Sequence, residues 1–393
     1  MTERIKLKTS QRWVVKIGSA LLTNDGAGLD LQRMQSWVKQ MSALIDDGVE
    51  LCLVSSGAIV SELIEDGVEL CLVSSGAIAV GLRILKIDQR PDELPLLQAA
   101  AAIGQMGLVQ AWQSCFSACG HETAQVLFTH EDLADRKRYL NARDTLKTLN
   151  SFGVIPVVNE NDTVATDEIR FGDNDSLGAL ATNLLEADVL VILTDQDGFF
   201  DQDPRFHSDA ALIPEARALD DGLLAMAGKN GGVLGSGGMY TKIVAAQQAA
   251  RSGAMTVIAN GRVEHVLERI RTGQPVGSLL YPDLKPQAAR KRWLASHKQT
   301  RGVLVVDAGA VVALKANGRS LLPVGVTAVK GSFERGDIVA IETVNGERVA
   351  TGLVNYGSKQ ALEMFGKTTK QLKEHQLLLE GDALVHRDNM ALV

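Results

Sequence analysis

The chain is poor in several things that would otherwise decide its class. Four cysteines in 393 residues are too few for a disulfide scaffold. Cys52 and Cys71 lie inside apolar runs, and Cys115 and Cys119 share one helix-like segment without the companion histidines of a zinc site. Four free thiols are expected. No uninterrupted apolar run reaches the ~18 to 20 residues that a membrane-spanning helix needs, and the first residues lack the apolar stretch of a secretory signal. A soluble, cytoplasmic protein with no membrane partner is expected. An excess of basic charge is also missing: the net charge is -7, so the whole molecule repels polyanions and a nucleic-acid contact would need a local basic patch. What is present is ordinary globular material, 46% apolar and 22% charged, which excludes a disordered chain. The length predicts two or three domains.

From Trp13 to about Arg271, short β-branched runs alternate with segments of helical period. The runs are Trp13-Val14-Val15, Val126-Leu127-Phe128, Val154 to Val158, Val189 to Leu193 and Met255 to Ala259. Such strands, apolar on both faces and separated by helices, predict an α/β fold with a mainly parallel sheet sandwiched by helices. Ligands then gather at the strand C-terminal ends. Leu31, Met34, Trp37, Val38, Met41, Leu44 and Ile45 recur at helical spacing, as do apolar positions between Leu96 and Phe116, and both stretches read as covering helices. Near Lys285 the character changes. A basic connector at 285–301 leads into short Gly-punctuated strands at 302–306, 321–323, 337–341 and 349–354, with Asn345-Gly346 as a hairpin signal. The expected division is residues 1–284, a linker at 285–301, and a small β-rich domain at 302–393.

One feature breaks the pattern. Residues 42–60 (SALIDDGVELCLVSSGAIV) are followed at once by a near-copy at 61–79 (SELIEDGVELCLVSSGAIA), differing only at Ala43/Glu62, Asp46/Glu65 and Val60/Ala79. Two units do not make a solenoid. Each copy can form half a helix, a strand and a turn, so the chain holds two candidates for one slot in the sheet.

Five stretches could carry chemistry. The strand Val14 to Ile17 places Lys16 just before the Gly18-Ser19 turn, where backbone N–H groups and an ammonium can face a phosphate. The turns Ser55-Ser56-Gly57 and Ser74-Ser75-Gly76 end strands and open helices, offering hydroxyls and free N–H groups to a small carboxylate. Asn159-Glu160-Asn161-Asp162 and Asp173-Asn174-Asp175 are dense clusters of amides and carboxylates suited to an amino acid. They lack the alternating spacing and terminal Glu of a calcium loop. Thr194-Asp195, at the end of another strand, can hold a ribose or base edge. Finally, Gly235-Ser236-Gly237-Gly238-Met239-Tyr240-Thr241-Lys242 is a glycine-rich loop feeding a helix, and its backbone can approach a polyphosphate while Lys242 reaches the terminal phosphates. It is neither a Walker A loop nor Gly-x-Gly-x-x-Gly.

In this order and spacing, the stretches VVKIGSALLT, SSGAIAVG, RKRYLNARDTL, IPVVNENDTVA, FGDNDSLGALAT, LTDQDGFF, LGSGGMYTK and ARKRW resemble the amino-acid kinase family, in the branch that opens proline biosynthesis. The part from Gly302 onward resembles a PUA domain. The resemblance implies L-glutamate and ATP with Mg2+ as reactants and L-glutamyl 5-phosphate as product. It implies Lys16 and Lys242 as phosphate-binding catalytic lysines, with Asp175 positioning them. It places glutamate on Ser56 or Ser75, Gly76, Asn159, Asp162, Asp173 and Asn174. The nucleotide falls on Lys16, Gly18, Thr194, Asp195 and the loop from Gly235 to Lys242. It also implies a homo-oligomer, a dimer or tetramer, and transfer of the product to glutamate-5-semialdehyde dehydrogenase.

The chemistry agrees with the residue types. A γ-carboxylate is ionised at pH 7 and needs no general base, but bringing it onto a phosphate sets like charges together. At ~4 Å and an effective dielectric near 20 they repel by about 4 kcal/mol. Two lysines, a magnesium ion and a loop of N–H groups are what offsets that in an in-line transfer. The family pattern contains the duplicated segment once, and Ala79-Val80-Gly81 after Ser75 is the more family-like continuation, which favours the second copy. Three rival readings remain in view: another small-molecule kinase of the same fold, acting on carbamate, aspartate or a nucleotide; RNA binding through the PUA-like part; and an inactive or binding-only relative because of the duplication. From Gly302 on, ten Lys/Arg face ten Asp/Glu, so no electrostatic footprint supports the second.

Overall fold

The computed structural model describes residues 3–23, 28–46, 50–51, 69–74, 76–129, 131–132, 135–164, 174–228, 238–283, 300–375 and 382–392. The chain divides into two compact units, Met1–Pro286 and Gln287–Val393.

The first unit is built on one sheet whose strands are β1 (Arg12–Ile17), β2 (Glu50–Leu51), β3 (Glu69–Val73), β4 (Thr123–Phe128), β5 (Ile155–Glu160), β6 (Val189–Thr194), β7 (Glu215–Arg217), β8 (Met255–Asn260) and β9 (Ser278–Tyr281). Their order across the sheet is β4-β5-β3-β1-β6-β8-β9-β7, with β2 beside β1. Every pairing is parallel except β8 with β9. The five β-branched runs all become strands of this sheet. β5 and β6 are buried along their whole length, as strands covered on both faces must be.

The helices that bear on the site are α1 (Ser19–Leu22), α2 (Leu31–Asp46), α3 (Ala77–Ile84), α4 (Leu94–Ser117), α5 (Arg136–Ser151), α6 (Asn174–Leu185) and α7 (Met239–Arg251). α2 buries Met34, Trp37, Val38, Met41 and Leu44 against the sheet, and Trp37 Nε1 donates to the Gly261 carbonyl at 2.9 Å. α4 has no charged residue in 24 and is, by length and composition, apolar enough to cross a membrane. It carries Gln98, Gln105, Gln110 and Gln113, however, and its Leu97, Ala100, Leu108, Trp112 and Phe116 are buried in the fold. α3 and α4 touch backbone to backbone. A Cβ added at Gly104 would lie 1.8 Å from the Ala77 carbonyl oxygen, and one at Gly81 would lie 1.7 Å from that of Ala100. Only glycine permits that approach.

The duplicated segment resolves unequally. The second copy supplies all of β3, which lies between β1 and β5 and aligns Glu69 with Arg12 through Val73 with Lys16. Among the described residues, the first copy supplies the end of α2, Ser42 to Asp46, and β2, whose Glu50 also aligns with Arg12. Glu50 and Glu69 are equivalent positions of the two copies, so both strands present the same residue to the same partner.

The second unit holds a sheet of order β11-β10-β12-β13-β14, from β10 (Gly302–Val306), β11 (Val326–Gly331), β12 (Ile338–Thr343), β13 (Arg348–Leu353) and β14 (Met390–Leu392). The hairpin at Asn345-Gly346 is present: Gly346 takes a φ of +82° and its N–H donates to Thr343. The strand expected at 321–323 is absent. Leu321 makes a single bridge to Val385 and Pro323–Gly325 turns as a 3-10 helix, because the fixed φ and missing N–H of proline stop a ladder. The small β-rich unit also carries helices, at Ala308–Asn317, Ser358–Met364 and Thr369–Glu374.

Candidate active site

Parallel strands leave their carboxyl ends on one edge of the sheet, and the chain changes direction there at β1, whose neighbours are β3 on one side and β6 on the other. A crevice at that switch point is where ligands of such sheets bind. Lys16 and Gly18 at the end of β1, Ser74 after β3, Asn159 near the end of β5 and Thr194 closing β6 all fall on this edge. The Gly18 N–H donates to the Leu193 carbonyl at 3.1 Å, and the N–H groups of Leu21 and Leu22 donate back to Gly18, so the turn after β1 is tied to β6.

Lys16 and Lys242 are 226 positions apart in the sequence and meet on one carboxylate. Lys16 Nζ lies 2.5 Å from Asp175 Oδ1 and Lys242 Nζ lies 3.1 Å from Asp175 Oδ2. All three are buried. Two elements bring them together. α6 starts at Asn174 and packs along β1, with Gly178 against the stem of Lys16, so Asp175 in its first turn reaches the lysine. α7 starts after Gly238, and Lys242 falls in its first turns on the side facing α6. The Thr241 hydroxyl lies 2.8 Å from Asp175 Oδ2 and 2.9 Å from the Gly238 carbonyl, with one proton to donate between them. Burial by itself would raise the Asp175 carboxyl. The Lys16 and Lys242 ammonium groups, with the Thr241 hydroxyl, outweigh it and hold that carboxyl well below the usual range. It is therefore an anion, and its two partners are held as a pair of adjacent cations.

Next to this pair, a chain of side-chain amides runs toward α4. Asn174 Nδ2 donates to the Ser74 carbonyl at 2.6 Å and to Asn159 Oδ1 at 2.8 Å, and Asn159 Nδ2 donates to Gln105 Oε1 at 2.6 Å. Trp112 Nε1 donates to Ser74 Oγ at 2.9 Å, which fixes the hydroxyl of the residue leading into the turn. Gly76, with a φ of +100°, opens α3. Asp162 lies in the turn after β5, where burial first, then the neighbouring Glu160 carboxylate, push its carboxyl up to about 7 against the pull of Arg90.

At β6, Thr194 Oγ1 donates to Asp195 Oδ1 at 3.0 Å, and Asp195 is exposed. Met239 packs partly on the core while Tyr240 is exposed. Ser56, Ser75, Asp173, Gly235, Ser236 and Gly237 lie outside the described residues. Of the expected positions that are described, Lys16, Asp175, Thr241 and Lys242 form one cluster, and Asn159 and Asn174 a second one beside it. Sequence reasoning passed over Gln105, Trp112 and Arg90. For Gln105 a signal existed: it shares the spacing of the buried positions Ala101, Leu108 and Trp112 on α4, and a buried amide on an apolar helix face needs a partner.

Among the described residues, no group of three His, Cys, Asp or Glu side chains comes together as a metal cage, and Asp175 is occupied by two ammonium groups.

Residues 11–260 match the amino acid kinase family, and residues 302–375 match the PUA domain. Glutamate 5-kinase of Stutzerimonas stutzeri is 55% identical over 390 residues, covering 99% of this chain and 100% of that protein. Glutamate 5-kinase of Pseudomonas paraeruginosa is 56% identical over the same extent. Among solved structures, a UMP kinase from Bacillus anthracis is 14% identical, covering 70% of this chain and 97% of that one with a TM-score of 0.44. With that family match running from β1 through β8 and taking in the switch-point crevice and both lysines, the chain belongs to the amino acid kinase family.

Proposed function

We infer that this chain transfers the γ-phosphoryl group of ATP to the γ-carboxylate of L-glutamate, giving L-glutamyl 5-phosphate, the first step of proline biosynthesis. The observation that carries the reading is the meeting of Lys16 and Lys242 on Asp175. Full-length relatives at 55% to 56% identity that are glutamate 5-kinases support the choice of substrate.

The site divides along the sheet edge. Asn159 of β5 and Asn174 of α6, with Asp162, Asp173 and the Ser75-Gly76 turn, take the amino acid. Thr194 and Asp195 after β6, with the loop from Gly235 to Lys242, take the nucleotide. Lys16 on the strand between them serves the phosphoryl group in transit. The attacking carboxylate carries its own charge, so no side chain has to remove a proton. The work of the chain is to offset anion–anion repulsion: two ammonium groups beside the phosphoryl oxygens stabilise charge that is most concentrated in the transition state. Asp175 does not touch the substrate in this account. It sets the spacing and direction of the two lysines. Magnesium, when bound with the nucleotide, neutralises further phosphate charge. The product is an acyl phosphate, which water hydrolyses, so a reductase in the same cytoplasmic compartment is the expected consumer.

The test is ATP turnover by the purified full chain with and without L-glutamate, trapping the product with hydroxylamine. Glutamate-dependent ADP release with equimolar hydroxamate is the expected result. Turnover indifferent to glutamate, or ADP without hydroxamate, overturns the reading.

A further inference from the structure

The amide chain beside the lysine pair has a direction. Asn174 donates to Asn159, Asn159 donates to Gln105, and each acceptor oxygen is thereby used. The chain ends on the Gln105 Nε2 group, which is buried and has no hydrogen-bond partner among the described residues. Gln105 as a whole is 8% exposed. A buried N–H donor left without an acceptor is costly, and water is a poor remedy on a helix whose neighbouring positions are Ala101, Gly104 and Leu108. The donor therefore awaits something that arrives with the substrate.

Its position says what. Gly104, one residue before it, lies in backbone contact with Ala77, which places Gln105 beside the turn that opens α3 at Gly76. It stands next to Asn159 and away from the Asp175 end of the chain, where the lysines await the reacting carboxylate. We propose that Gln105 is a recognition residue for the amino-acid substrate: Oε1 holds the Asn159 amide in one orientation, and Nε2 donates to the α-carboxylate. The proposal rests on the glutamate kinase reading above and adds a contact from α4, an element none of the sequence motifs touched. The same amide thus serves the site twice, once through Asn159 and once directly.

The two roles separate in two variants measured on the full chain at pH 8. Gln105→Glu keeps an acceptor for Asn159 at the same length but turns a carboxylate toward the substrate's own. Gln105→Met keeps the volume and removes both polar atoms. Recognition predicts that the KM for glutamate rises in both variants, by about tenfold in Gln105→Met and by more in Gln105→Glu, with the KM for ATP within about threefold of the unaltered chain. A purely positioning role predicts the reverse order, because Gln105→Glu would still orient Asn159, and that order overturns the proposal. A glutamate KM within about twofold of the unaltered chain in Gln105→Glu overturns it too. So does failure of either variant to give a cooperative thermal melt, which would make the amide a part of the fold. An unaltered chain without glutamate-dependent turnover would instead refute the kinase reading, so the two failures are distinct.

Discussion

A carboxylate shared by two buried ammonium groups is the most sensitive point of the molecule. In the proposed transfer, Lys242→Ala removes one of the two charges assigned to the phosphoryl group, and kcat is expected to fall by about 10²- to 10³-fold, the usual effect of losing one preorganised donor. Steady-state ADP release with saturating glutamate reads this directly. Asp175→Asn keeps the shape but leaves two cations with no counter-charge. Breaking a buried pair in this way costs about 3 to 5 kcal/mol, so the thermal midpoint is expected to fall together with kcat, whereas Lys242→Ala loses mainly kcat. Asp162 behaves oppositely to Asp175. Its carboxyl is pushed up to about 7, so the folded chain keeps a proton that the unfolded chain has released. Stability contributed by that proton is present below the ordinary carboxylate range and is lost as pH rises through about 7. Binding runs the other way. An ionised Asp162 suits a substrate ammonium, so the KM for glutamate is expected to fall as pH rises from about 6 to about 8, and Asp162→Asn is expected to flatten that profile. A KM profile that is already flat in the unaltered chain would separate Asp162 from the substrate.

Secondary-structure elements carry these residues to one edge, and one contact between them is unusually tight. The α3–α4 crossing admits no side chain at Gly104, since a Cβ there would sit 1.8 Å from the Ala77 carbonyl oxygen. Gly104→Ala must push α3 away from α4, and overpacking of this kind costs about 1 to 3 kcal/mol. Because Gly76 and Ala77 open α3, the displacement is expected to raise the KM for glutamate as well as lower the melting midpoint, while the KM for ATP holds. Gly120→Ala, where a Cβ would meet nothing within 4 Å, is a poor match because of its φ of +80°, so Gly107→Ala, with Val80 Cγ1 at 3.7 Å, is the better control on the same helix. Elements of this kind differ in how legible they were. β1, β5, β6 and β8 were readable from apolar runs, and α2 from its spacing, because burial on one or both faces writes a period into the sequence. β7 and β9 were not: Glu215–Arg217 is short and polar, and Ser278–Tyr281 follows no alternation that a partly covered strand would leave. The lysine pair was legible only as two separate motifs. Its meeting on Asp175 depends on α6 and α7 packing together, and no local spacing records that. Gln105 was hidden for a related reason, since its partner Asn159 is 54 positions away.

At the scale of the whole chain, the duplicated segment is the one departure from a single, self-consistent path. The sheet takes its β3 strand from the second copy, as its continuation into Ala79-Val80-Gly81 suggested, and the first copy keeps a two-residue foothold on Arg12. The connection from the end of α2 at Asp46 to Glu69 therefore spans 22 residues, where one copy alone would need only Asp47-Gly48-Val49 before a strand. Closing the longer connection costs roughly 2 kcal/mol more in chain entropy, and the spare strand sequence competes for the same partner. Excising residues 50–68 leaves one complete copy and joins Val49 to Glu69 without changing any residue of β3, α3 or the lysine cluster. The shortened chain is expected to melt several degrees higher and to keep its KM for ATP. Its glutamate turnover is expected to equal or exceed that of the full chain, because the only described element removed is the two-residue β2, which pairs with Arg12 where β3 also does. Thermal melts and hydroxamate assays on the two chains side by side decide the matter. A shortened chain that melts lower, or that loses glutamate turnover while still binding nucleotide, would mean that the first copy contributes to the working site and that the duplication has been built into it.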